Sequence, residues 1–116
     1  MAVKSDQNTG ACTAYFNDDV AATDILVQAG ETLLYSVSLH NTTAADAFFL
    51  LYNAAAVADV TVGTTAADYI IPNGANAIVN MSFSKPLHFA KGLVIASTTA
   101  TGGSSGAAQD ASLGIA

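Results

Sequence analysis

Apolar and polar residues alternate along much of this chain with a period of two, as they do in strands with one buried and one wet face. From Thr32 to His40, Leu33, Tyr35, Val37 and Leu39 fall on one face, and Ser36, Ser38 and His40 fall among the residues opposite. Between Asn76 and Phe83 the positions expected to point inward are Ala77, Val79, Met81 and Phe83. Ala111, Leu113 and Ile115 repeat the period near the end. Other strands are expected over 24–28 and 92–97. The run Ala47-Phe48-Phe49-Leu50-Leu51-Tyr52 is apolar on both faces, which predicts a strand covered on both sides.

Breakers divide these segments. Gly30-Glu31, the polar stretch 41–46, Gly63, Pro72-Asn73-Gly74-Ala75 and the Gly/Ser-rich stretch 101–106 are turn or loop signals. The Pro-Asn-Gly turn, flanked by 68–71 and 76–83, predicts a hairpin. Ala54–Ala56 allows a helical turn before Val57–Val62 returns to strand chemistry, and Lys85-Pro86 predicts a bend before a short segment at 87–89. About seven or eight short strands with turns every 8–12 residues predict an all-β domain. The expected architecture is a two-sheet antiparallel β-sandwich of jelly-roll type over residues 21–116, with a closed barrel as the alternative. Residues 1–20 show no sustained period and are expected to form an extended arm, with Val3, Tyr15, Phe16 and Val20 as its apolar anchors.

Composition narrows the partners. The 116 residues suit one domain with a modest core. Charged residues make up 10% of the chain, and the only basic ones besides its histidines are Lys4, Lys85 and Lys91. Nucleic-acid binding and docking to anionic membranes both need clustered Lys and Arg, so neither partner is expected. A charge-poor surface rich in Thr, Ser, Asn and Ala suits a protein that places much of itself in interfaces, because interface centres are depleted in charge. Strand alternation puts Phe49 and Leu51 opposite Phe48, Leu50 and Tyr52. One set is expected to fill the core, and Phe49 and Leu51 are assigned, with the arm anchors, to a subunit or partner contact. The amino-terminal residues lack the apolar stretch of a secretory signal, which implies synthesis and folding in a cytoplasm.

Candidate chemistry is sparse. His40 and His88 lack the spacing and the companion ligands of a zinc site. Cys12, the single cysteine, has no basic neighbour in sequence to lower its pKa and can form no intrachain disulfide. Asp18, Asp19 and Asp24 cluster without the spacing of an EF-hand loop and read as a solvated approach to the first core strand. The Gly/Ser-rich stretch lacks the lysine and following helix of a phosphate loop. Neither an enzymatic activity nor a metal or cofactor is expected.

Several short segments together resemble small virion structural proteins of tailed bacteriophages. They are Leu34-Tyr35-Ser36-Val37-Ser38-Leu39-His40-Asn41, Leu50-Leu51-Tyr52-Asn53, Val62-Gly63-Thr64-Thr65, Ile71-Pro72-Asn73-Gly74 and Lys91-Gly92-Leu93-Val94-Ile95-Ala96. They occur in the same order as in that family and span roughly 24–98, leaving both ends unmatched. The resemblance implies a β-sandwich built into a virion, often as a decoration (cement) protein that stabilises the assembled head. It implies as partners the major capsid protein or another virion protein, and further copies of the chain, commonly as a homotrimer. A tail, fibre or baseplate component is the alternative within that class. A carbohydrate-binding module is the alternative outside it, weakened by the absence of Trp.

Overall fold

The computed structural model describes residues 13–116 and the backbone of residues 2–6. Cys12 lies outside the described residues. Among the described residues nine strands run in chain order: β1 (Ala2–Asp6), β2 (Thr13–Val20), β3 (Ile25–Ala29), β4 (Thr32–Asn41), β5 (Ala47–Asn53), β6 (Tyr69–Asn73), β7 (Ile78–Phe89), β8 (Gly92–Thr98) and β9 (Gln109–Ile115). All described pairings are antiparallel. A five-stranded sheet has the order β1-β2-β9-β4-β7, and a four-stranded sheet has the order β3-β8-β5-β6. The sandwich expected from the sequence is therefore the fold. Leaving β1 aside, successive strands switch sheets at every step except β5 to β6, which is the jelly-roll path. No helix among the described residues is long and apolar enough to cross a membrane.

Tyr15, Val20, Leu34, Val37, Leu39, Phe49, Leu51, Phe89, Leu93, Ile95, Leu113 and Ile115 fill the space between the sheets. One end of that core is closed by amides rather than by apolar groups. Asn73 Nδ2 donates to Gln109 Oε1 at 3.0 Å, Gln109 Nε2 donates to Ser97 Oγ at 2.9 Å, and Asn41 Nδ2 reaches the Ala45, Asn73 and Gly74 carbonyls. These four side chains come from both sheets and are buried. Bonded as they are, they join the sheets where loops converge, and each partner removed leaves a buried polar group unpaired.

Several expectations are corrected by the packing. Residues 13–20 are not an arm: β2 pairs with β9 from Thr13 to Val20 and sends Tyr15 and Val20 into the core. The sandwich thus begins before residue 21. The period was hidden because Asn17 occupies an inward position and its Oδ1 accepts the Asp19 amide at 2.9 Å, forming a bulge that shifts the phase before Val20. In β4 the inward residues are Leu34, Val37 and Leu39, because a bulge at Tyr35 flips the alternation and turns Leu33 and Tyr35 outward. The hairpin expected across 68–83 does not form. β6 pairs with β5 and β7 with β4, so the turn between them crosses from one sheet to the other. Its reversal uses Gly74–Ala77, with Asn76 at φ 54°, rather than Pro72–Ala75. Residues 57–59 form a single 3-10 turn instead of strand, and Lys85-Pro86 sits within β7 without ending it.

Candidate interaction surfaces

The outer faces of the two sheets differ. On the four-stranded sheet, Leu50, Tyr52, Val94 and Ala96 point away from the central core but are not open to solvent. The long β5–β6 connection folds back over them with Ala54, Val60, Val62 and Ala67. The expectation that Ala47–Tyr52 is covered on both sides therefore holds. The assignment of its faces does not: Phe49 and Leu51 are fully buried in the intersheet core, while Phe48, Leu50 and Tyr52 lie beneath the connection. Neither Phe49 nor Leu51 is available as an interface residue.

No described segment covers the outer face of the five-stranded sheet. Residues directly opposite in an antiparallel ladder share a face, so the register lays out its rows. Ala14, Gly114, Ser36 and Ser82 form one row, and Phe16, Ser112, Ser38 and Asn80 form the next. Asp110, His40 and Ile78 follow. Small side chains keep the middle of this face level. A shallow groove of about 260 Å³ crosses it, lined by Phe16, Ser38, His40, Ile78, Asp110 and Ser112. The groove's titratable groups are confined to one corner, where His40 Nδ1 stands 3.9 Å from Asp110 Oδ2. Ser38, two residues along β4 on the same face, donates to Asn80 Oδ1 and not to the imidazole.

Of the six residues assigned to an interface, Phe16 alone has a described side chain on this face, 40% exposed. Val3 pairs with Phe16 in the β1–β2 ladder, and its side chain lies outside the described residues. Tyr15 and Val20 join Phe49 and Leu51 in the core. Sequence reading missed Ile78, which is 64% exposed, and placed Met81 inward, where it is 38% exposed because β7 is the sheet's last strand. The available signal was charge: no charged residue or histidine occurs from Tyr69 to Ser84.

A cleft of about 520 Å³ opens beneath the β5–β6 connection and includes Tyr52, Asn53, Asp59, Asp68 and Lys91 in its lining. Two of its polar groups already hold the loops together. Asp68 Oδ2 accepts the Asn53 amide at 2.6 Å, and Asn53 Oδ1 accepts the Lys91 amide at 2.8 Å. Burial pushes the Tyr52 phenol above its ordinary pKa, and the Asp24 carboxylate adds to that rise. His88 Nε2 meets Glu31 Oε2 at 2.8 Å in an exposed pair. Among the described residues no group of three or more His, Cys, Asp or Glu side chains is placed to hold a metal ion. Phe16 and Tyr69, the most exposed aromatic residues described, stand on different sheets and form no common stacking platform. Comparison with known proteins finds no matching family model, no matching curated protein and no matching solved structure.

Proposed function

We propose that this chain is a structural protein of a bacteriophage virion, a decoration protein that binds the assembled head and stabilises it. The observation that carries this reading is the asymmetry of the sandwich. The chain's own β5–β6 connection covers Leu50, Tyr52, Val94 and Ala96 on the outside of one sheet, and the other presents a small-residue face with few charges. Such a face suits close approach to another folded surface, with Phe16 and Ile78 as anchors at its borders and hydroxyls between them. The sequence resemblance across 24–98 supplies the class of partner, the major capsid protein. Binding a lattice but not its free subunits stabilises the assembled state by mass action, and many weak contacts repeated over a shell add up.

The test is the stoichiometry and symmetry of the protein in purified particles. Hundreds of copies following the icosahedral lattice agree with decoration. A single ring at one vertex, or copies confined to the tail, replaces it with the tail-component reading, and absence from particles rejects the virion reading. Rebinding to stripped heads then asks which face is used: Ser112→Lys is expected to lower occupancy at least about tenfold, the effect of desolvating one unpaired charge at a contact.

A further inference from the structure

Four strands end the two sheets, and three of them are guarded against pairing with another chain. β1 is five residues long and carries Lys4 and Asp6. β3 is five residues long and bulged between Leu26 and Gln28. β6 is five residues long and contains Pro72, which has no amide hydrogen to donate. Shortness, charge, proline and bulges are the devices by which sheet edges avoid other edges.

β7 is the exception over half its length. It is the longest strand, 12 residues, and its irregular pairing, Lys85 and Pro86 are confined to the part beyond Ser82. From Ile78 to Ser84 it carries no charge, no proline and no glycine. The Asn41 amide donates to the Ala77 carbonyl at 2.9 Å, which sets the phase of the β4–β7 ladder. Alternation then turns the backbone N–H and C=O groups of Ile78, Asn80 and Ser82 to the open side of the sheet. β7 also carries two exposed apolar side chains, Ile78 and Met81, and the exposed Tyr69 of edge strand β6 meets the Phe89 ring of β7 edge-on at 6.1 Å between centroids.

We propose that residues 78–84 of β7 pair antiparallel with the same segment of a second copy, joining two five-stranded sheets across a two-fold axis. Self-pairing fits the charge distribution. The chain carries a net charge of −6 and two copies repel over most of their surface, but the stretch 69–84 contributes nothing to that repulsion. Centred on Met81, the register sets Asn80 against Ser82, Val79 against Phe83 and Met81 against its own mate. Each contact is apolar or hydrogen-bonding, and none places like charges together. This inference concerns the free protein and does not depend on the virion reading. It also differs from the three-fold association that the resemblance implies.

Sedimentation of the purified full chain over a concentration series tests it. The expected result is reversible formation of a species of twice the 11.7 kDa chain mass. In that species the Asn80 and Ser82 amides exchange hydrogen more slowly than in dilute protein. Ser82→Pro removes one outward amide, and Asn80→Lys places like charges across the axis. Each is expected to raise the dimer dissociation constant at least about tenfold, equivalent to one or two net hydrogen bonds. If Ser82→Pro lowers the melting temperature, Asn80→Lys carries the test, since that side chain is exposed. A chain that stays monomeric throughout, that forms a trimer, or whose dimer ignores Asn80→Lys overturns the proposal.

Discussion

β8 and β7 mark the two extremes of this sandwich. β8 lies inside the four-stranded sheet, with a strand on each side, the core beneath it and, over Val94 and Ala96, the β5–β6 connection above; all seven of its residues are buried. β7 ends the five-stranded sheet, and of its 12 residues only Phe89 is buried. Both are built largely from strand-forming and small residues, so local preference does not separate them. What separates them is the number of neighbours that the topology supplies. A strand between others spends its backbone groups and both faces on the chain itself, while a terminal strand keeps an unpaired edge. Stability is expected to reside near β8 and β9, and interaction with other molecules near β7 and the open face beside it.

Removing β2 breaks this contrast most severely, because it turns β9 from an interior strand into an edge. A chain beginning at Ala21 loses the burial of Tyr15 and Val20, worth about 1.5–3 kcal/mol each, together with the ladder to β9. Its cooperative thermal transition is expected to disappear, since folded domains hold only about 5–15 kcal/mol in reserve. A truncated chain that melts like the full one would show that β2 is dispensable.

Phe49→Ala comes next. It empties a site within the intersheet core and is expected to cost about 3–5 kcal/mol by urea unfolding. Phe48→Ala, on the half-buried outer side of the same strand, is expected to cost less than half as much. Equal losses would mean that the β5–β6 connection covers its face as tightly as the core covers the other.

Gly92→Ala probes the turn that feeds β8. Gly92 has φ 145°, and a Cβ there would lie 2.6 Å from the Ala54 carbonyl oxygen and 2.7 Å from that of Gln28. A loss of about 2–3 kcal/mol is expected from backbone strain and displaced carbonyls, read as a lower urea midpoint. An unchanged midpoint would show that the junction yields without cost.

The smallest effect is tied to pH. Tyr52 is buried beneath the β5–β6 connection and its phenol titrates above the ordinary value of about 10. The neutral form is therefore favoured in the folded state. That contribution is complete below the unfolded pKa and is lost as pH rises through the folded one. Tyr52→Phe is expected to flatten the fall in melting temperature above about pH 10 while changing little at pH 7. A fall of the same steepness in both proteins would assign alkaline unfolding to other groups.

Reading the chain in sequence succeeded where one strand's pattern stood alone. β9 shows Ala111, Leu113 and Ile115 inward as its alternation requires, and the doubly apolar run in β5 is covered on both sides. It failed at bulges, since one extra residue reverses every later side chain. Tyr35 in β4 and Asp18-Asp19 in β2 both do this, and the second concealed a whole strand. It failed again at the 74–77 turn, where a tight reversal between two strands suggested pairing although the chain was changing sheets. The candidate surface was legible only as a shortage of charge. Its members come together through ladders between β2, β9, β4 and β7, residues nearly the length of the chain apart.

By itself, then, the sequence determined the class of the fold, through a period of two punctuated by turn residues. Tertiary structure decided which apolar residues are core and which are surface. Phe49 and Phe16 are chemically the same side chain in the same kind of strand. One faces the opposite sheet and the other faces outward because burial depends on what lies across the gap, and pairing over long separations settles that.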